Sequence, residues 1–120
     1  MEIYISLSFD AAHRLPNVPA EHKCGRLHGH TFLVEVHVTG DVDDSAGWVV
    51  DFGDVKQVVK RHIDQLDHTY LNEIEGLENP TSECIAKWIW GRVKSELPGL
   101  ARIVVKESPH SGAVYTGVPQ

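Results

Sequence analysis

The sequence predicts an α+β fold: an antiparallel sheet with two helices on one face, in the order β-β-α-α-β-β. Three observations predict it. Two stretches near the start alternate apolar and polar residues, two in the middle carry apolar residues at helical spacing, and two strand-like runs close the chain. The 120 residues read as one domain, 1–120, able to bury a modest core and small enough to gain from self-association.

The elements follow in order. Residues 3 to 13 place Ile3, Ile5, Leu7 and Phe9 on one side of a strand and Tyr4, Ser6 and Ser8 on the other. Residues 30 to 39 set Phe32, Val34, Val36 and Val38 against Thr31, Glu35, His37 and Thr39. The loop between them holds Pro16, Asn17, Pro19 and Gly25. "TGDVDDSAG" is a turn signal that ends the second strand, and "WVVDF" reads as a short strand after it. From 53 to 66 the period changes: Val55, Val58, Val59, Ile63 and Leu66 recur at helical spacing, with Asp51 or Asp54 as cap. "ENPTSE" opens a second helix, capped by Thr81 or Ser82, with Glu83 in the acid-favouring first turn. Its apolar stripe is Cys84, Ile85, Trp88, Ile89, Val93 and Leu97, and "LPG" ends it. "ARIVVKE" and "GAVYTGV" form the closing pair of strands.

Composition excludes several classes. Hydrophobic residues are 42% and charged residues 23%, the balance of a soluble globular protein. A net charge of −6 argues against nucleic-acid binding, which needs a basic surface. "MEIYISLSFD" has neither the basic start nor the apolar run of a secretory signal, and no segment approaches the roughly 18 apolar residues of a membrane span. A cytoplasmic location is expected, where Cys24 and Cys84 stay reduced.

The chemistry concentrates in "HKCGRLHGH", residues 22 to 30. His28 and His30 are two apart at the start of the second strand and share a face, with Gly29 expected to leave room between them. His13 ends the first strand in line with Phe9. Antiparallel pairing of the strands would bring all three imidazoles to one end of one face, an open three-nitrogen site suited to zinc. Cys24 lies four residues before His28 with Lys23 and Arg26 beside it, where cations favour thiolate. It fits a fourth zinc ligand, a general base or a small buried side chain. Cys84 reads as packing. His22, His37, His62 and His110 read as exposed or capping residues.

Asp67 and His68, in "LDHTYLN", form either an acid/base relay or a helix end with a histidine on its dipole. Glu107 ends a nearly apolar strand; it is either exposed there or paired with a bidentate, guanidinium-like donor.

"FDAAHRL", "CGRLHGH", "LDHTYLN", "NPTSE" and "VKES" stand in the order and spacing of the 6-pyruvoyl-tetrahydropterin synthase family. The resemblance runs from about Ile3 to Tyr115 and is stronger to the bacterial branch, the 6-carboxy-5,6,7,8-tetrahydropterin synthases of queuosine biosynthesis. It implies a tunnelling fold (T-fold) assembled as a homohexamer, a dimer of trimers. It also implies Zn²⁺ on His13, His28 and His30 and a proton-transferring thiol at Cys24. Asp67 and His68 would complete a triad with Cys24 from a neighbouring subunit. Glu107 would anchor the pterin through its 2-amino and N3 hydrogens. Where the family is expected to carry threonine after that glutamate this chain has Ser108, which keeps a hydroxyl for the ring. The implied substrate is 7,8-dihydroneopterin triphosphate, and the products are 6-carboxytetrahydropterin, acetaldehyde and triphosphate. Arg14, Lys23 and Arg26 cluster at the site loop and read as phosphate contacts or as solvated surface charge. Two alternatives stay open: triphosphate elimination to a 6-pyruvoyl product, and a zinc-stabilised binding domain closed by Cys24.

Overall fold

The structure is a computed structural model that describes residues 1–117. Strands β1 (Glu2–His13) and β2 (His28–Thr39) pair antiparallel in an unbroken register from Glu2↔Thr39 to His13↔His28. Residues opposite each other in such a ladder share a face. Phe9 and Ala11 of β1 and Phe32, Val34, Val36 and Val38 of β2 therefore form one buried surface. The chain continues through α1 (Phe52–Ile63), β3 (Thr69–Tyr70), α2 (Ser82–Val93), β4 (Leu100–Ser108) and β5 (Ser111–Tyr115). Among the described residues the sheet runs β3-β1-β2-β4-β5, and only the β1–β3 pair is parallel.

Both helices cover the same face. Val55, Val59 and Ile63 of α1 and Ile85, Ala86, Ile89 and Val93 of α2 join the sheet's apolar residues, with Ile103 and Val105 of β4, in one core. Asp51 caps α1 by accepting from Gly53 N–H (2.8 Å), and the Thr81 hydroxyl caps α2 by accepting from Cys84 N–H (3.1 Å).

Several elements differ from expectation. The third strand is not at "WVVDF" but between the helices, so the order is β-β-α-β-α-β-β. Residues 43 to 48 close a compact loop, with Asp43 N–H donating to the Trp48 carbonyl (2.8 Å) and Asp43 Oδ2 accepting from Ala46 N–H (2.9 Å). Asp51 then starts α1, so aspartate side chains take backbone donors that a strand would spend on a ladder. Each helix also ends early. Leu66 is fully buried and Leu97 half-buried, but both sit in turns beyond Ile63 and Val93 that keep the core within reach. On α2 the buried stripe is Ser82, Ile85, Ala86, Ile89 and Val93; Cys84 and Trp88 flank it, half-buried. β5 stops at Tyr115, and Val118 of the expected closing strand lies outside the described residues.

Candidate active site

The β1–β2 register decides the site. His13 faces His28 and Ala11 faces His30, so all three imidazoles leave from the helix-side face at one end of the ladder. One ring nitrogen from each lies within 4.8 Å of the others. His13 is 1% exposed and meets Phe32 edge-on, 5.4 Å between ring centroids, so the cluster sits directly on the core. Gly29 is not a spacer between the imidazoles. It alternates to the opposite face, where a Cβ would meet only the Ala11 carbonyl at 3.4 Å.

The protonation pattern follows from the partners. His13 Nδ1 lies 2.8 Å from the Pro80 carbonyl and His28 Nδ1 lies 2.6 Å from the Arg26 carbonyl. A carbonyl only accepts, so each Nδ1 carries the proton and each Nε2 keeps a free lone pair. Among the described residues, Nε2 of His13 and of His30 are buried without a hydrogen-bond partner. Burial first of all lowers the His13 pKa; the Pro80 carbonyl opposes this and the His28 charge reinforces it. Buried lone pairs aimed at one another are unfavourable unless a cation lies between them. Three imidazoles so arranged fit a divalent transition metal.

Beside the cluster is a pocket of about 500 Å³ lined by Lys23, Cys24, His28, His30, Glu107 and Ser108, together with Gly29 and Ser111. It exists because β4 leaves β2 beyond the Leu33↔Lys106 pair, opening the flank of the His28–Phe32 segment. Cys24 rides on a single 3₁₀ turn, Lys23–Gly25. His22 Nδ1 accepts from Cys24 N–H (3.0 Å), and the Cys24 carbonyl accepts from Leu15 N–H (2.9 Å). The thiol is free and half-buried, and the three-imidazole group does not include it.

Glu107 occupies an irregularity: the β4–β5 register shifts between Lys106 and Ser108, a bulge of the kind that re-aims a side chain. Its Oε1 accepts from the Ser82 hydroxyl (3.0 Å), and its Oε2 lies 3.7 Å from His30 Nε2. Ser82 is 7% exposed and was legible in the sequence only as a helix start. Its contact with Glu107 spans 25 residues, and no local signal announces it.

Of the three cations expected at the site loop, only Lys23 lines this pocket. Arg14 and Arg26 are exposed. The Arg14 backbone is clamped by Asn72, and the Arg26 carbonyl holds His28.

Asp67 and His68 lie elsewhere. A second pocket of about 590 Å³ opens beside Asp10, Ala12, Gly29 and Thr31, which alternate to the opposite face of the β1–β2 ladder, and is also lined by His68, Ala11 and His30. There Asp67 Oδ2 sits 2.9 Å from His68 Nδ1, and Asp67 Oδ1 accepts from Asp10 N–H (2.9 Å). Asp67 is held below the usual carboxylate range, chiefly by that backbone donor and then by His68. His68 adopts a left-handed backbone (φ 59°) and donates its N–H to the Asp10 carbonyl. Among the described residues, no hydrogen bond joins this pair to Cys24.

The other histidines differ among themselves. His22 caps the 3₁₀ turn and His110 is exposed in the β4–β5 turn. His37 is half-buried, with Glu2 and Glu35 carboxylates 3.1 and 3.0 Å from its two ring nitrogens. His62 is half-buried, 3.4 Å from Glu96. Glu2 on the paired strand and Glu96 beyond α2 are invisible to local spacing, whereas Glu35 stands two residues from His37 on the same face of β2; these neighbours account for both corrections.

The sequence model of the family described as 6-pyruvoyl tetrahydropterin synthase matches residues 2–118. A 6-carboxy-5,6,7,8-tetrahydropterin synthase of Synechocystis sp. is 44% identical over 123 residues, covering 94% of this chain and 91% of the relative. A dihydroneopterin monophosphate aldolase of Pyrococcus furiosus is 46% identical over 92 residues, covering 77% of this chain and 74% of the relative. The structure of Caenorhabditis elegans 6-pyruvoyl tetrahydropterin synthase superposes with a TM-score of 0.89 at 27% identity, over 98% of this chain and 96% of that one. The fold is the T-fold of these proteins, and this chain belongs to the 6-pyruvoyl tetrahydropterin synthase family.

Proposed function

We propose that this chain, as a single domain, is a zinc-dependent 6-carboxy-5,6,7,8-tetrahydropterin synthase, a cytoplasmic lyase of queuosine biosynthesis. It converts 7,8-dihydroneopterin triphosphate and one water to 6-carboxy-5,6,7,8-tetrahydropterin, acetaldehyde and triphosphate, the water supplying the extra carboxyl oxygen. The named Synechocystis relative supports the reaction. One geometric observation carries the site: a single pocket holds Cys24 and Glu107 beside the imidazoles of His28 and His30.

His13, His28 and His30 would hold the zinc, which would supply Lewis acidity toward the side-chain hydroxyls of the substrate. Glu107 accepts from the donor pair on the pyrimidine edge of the pterin, with Ser108 next to it, and so fixes the ring. Cys24 removes a proton from the side chain held against the pocket. His68, with Nδ1 directed at Asp67, moves a second proton from the far side. Lys23 meets the triphosphate, and Arg14 and Arg26 lie farther out along its path. In one chain Cys24 and the Asp67–His68 pair face opposite ways, and among the described residues β1 is paired on its outer edge only at Ala11 and Ala12. Both features favour assembly into a hexamer whose site is completed by a neighbouring chain. Among the described residues, no helix is long and apolar enough to cross a membrane.

The test is to supply dihydroneopterin triphosphate and quantify acetaldehyde with the pterin product. Stoichiometric acetaldehyde and a 6-carboxy pterin are expected. A 6-pyruvoyl product without aldehyde moves the chain to the eliminating branch. The Pyrococcus furiosus relative favours a second reading, carbon–carbon cleavage of dihydroneopterin monophosphate. Turnover of the monophosphate, with phosphate leaving on the aldehyde fragment, would establish it.

A further inference from the structure

The Asp67–His68 pair hangs on one residue that no reading of the reaction uses. Asp10 donates its N–H to Asp67 Oδ1 (2.9 Å) and accepts His68 N–H at its carbonyl (2.6 Å). One residue of β1 thus grips both members, and the second grip holds His68 in its left-handed backbone. The Asp10 side chain is equally engaged. Thr31, its partner across the ladder, donates its hydroxyl to Asp10 Oδ1. Carboxylate oxygens of Asp10 and Asp67 and a ring nitrogen of His68 all lie within 4.8 Å of one another.

Two carboxylates this close repel, so the placement is unfavourable for the strand alone. A neutral residue would serve β1 as well. The position also borders the other face of the ladder. Asp10 and Thr31 face one side of the ladder, while the neighbouring pair Ala11↔His30 puts a metal-site imidazole on the other.

We infer that the Asp10–Thr31 pair is a positioning element for the reaction, fixing the Asp10 peptide and, through it, the direction in which the Asp67–His68 pair projects toward the site it completes. Asp10 and Thr31 act through His68 and need not touch substrate. The inference rests on the reading of His68 as a proton carrier.

The test uses the assembled enzyme and dihydroneopterin triphosphate. Thr31→Val removes the hydroxyl at nearly constant shape, and Asp10→Asn removes the charge. Each should lower kcat by about 10- to 100-fold, the scale of a small misplacement of a catalytic group. KM, metal content and the unfolding midpoint should stay near wild type, and Thr31→Ser should restore kcat. A merely structural pair would move the unfolding midpoint and leave kcat of the folded fraction unchanged, and that result overturns the inference. His68→Ala separates the two claims. If it loses the rate while Thr31→Val and Asp10→Asn keep it, the positioning inference alone fails. If His68→Ala keeps the rate, the reading of His68 fails and takes the inference with it.

Discussion

The two sides of the β1–β2 ladder carry chemically active groups in opposite states of completion. On the helix side the three imidazoles are packed on Phe32, oriented by the Pro80 and Arg26 carbonyls, and open to a pocket that also holds Cys24 and Glu107. On the other side Asp67 and His68 are held by backbone contacts to Asp10, and the His68 side chain is 78% exposed. The first group is preorganised by the core of its own chain. The second is rigid at its base and unfinished at its tip. A reactive side chain that projects into solvent is useful where a second surface arrives to enclose it.

The largest expected effect would break the first side. His28→Ala or His30→Ala should remove bound zinc and activity together, because each deletes one of three ligands. Metal analysis of the purified variants checks this, and full occupancy in both would sink the assignment. Cys24→Ala should keep zinc and lose about 100- to 10,000-fold in turnover, the usual contribution of a proton-transferring group. A steep loss of zinc in that variant would make Cys24 a ligand instead.

A complementation experiment sharpens the contrast between the two sides. Cys24→Ala and His68→Ala chains should each be inactive alone. Dissociated and reassembled together, they should recover about a quarter of wild-type activity if neighbouring chains share each site and pair at random. No recovery on mixing would place both groups in the same chain's site.

Smaller effects follow. Glu107→Gln replaces an acceptor with a donor toward the pterin edge and should weaken pterin binding by about 10- to 200-fold, measured by fluorescence titration with neopterin. The smallest concerns acid. Asp67 has a folded pKa lowered below 3.8, so its contribution to stability is present above 3.8 and disappears as pH falls through the folded value. Unfolding midpoints measured from pH 5 downward should show this component in wild type and not in Asp67→Asn.

Much of this was readable from residue order. The strand alternation of Ile3 to Phe9 and Phe32 to Val38 placed the sheet face correctly. The three histidines followed because the intervening ladder has no bulge to break parity. What was not readable depends on distance along the chain or on very short elements. β3 has two residues and no period to detect. Leu66 and Leu97 keep helical spacing in turns, so periodicity overshot both helix ends. The re-aiming of Glu107 comes from a register shift between β4 and β5, and its link to Ser82 joins segments that local patterns treat separately. "WVVDF" failed because Asp43 and Asp51 make loop and cap bonds with the same residue types that flank strands.

The twelve-residue ladder of β1 and β2 has a consequence for how the chain reaches its native state. Slipping one strand by a single residue would turn His28 and His30 to the far side, and slipping by two would keep the face but part His13 from His28. A metal ion bound by all three imidazoles would therefore reward one alignment among several that bury similar valines and phenylalanines. The ion would act as a proofreader of strand alignment during folding, before it takes part in any chemistry.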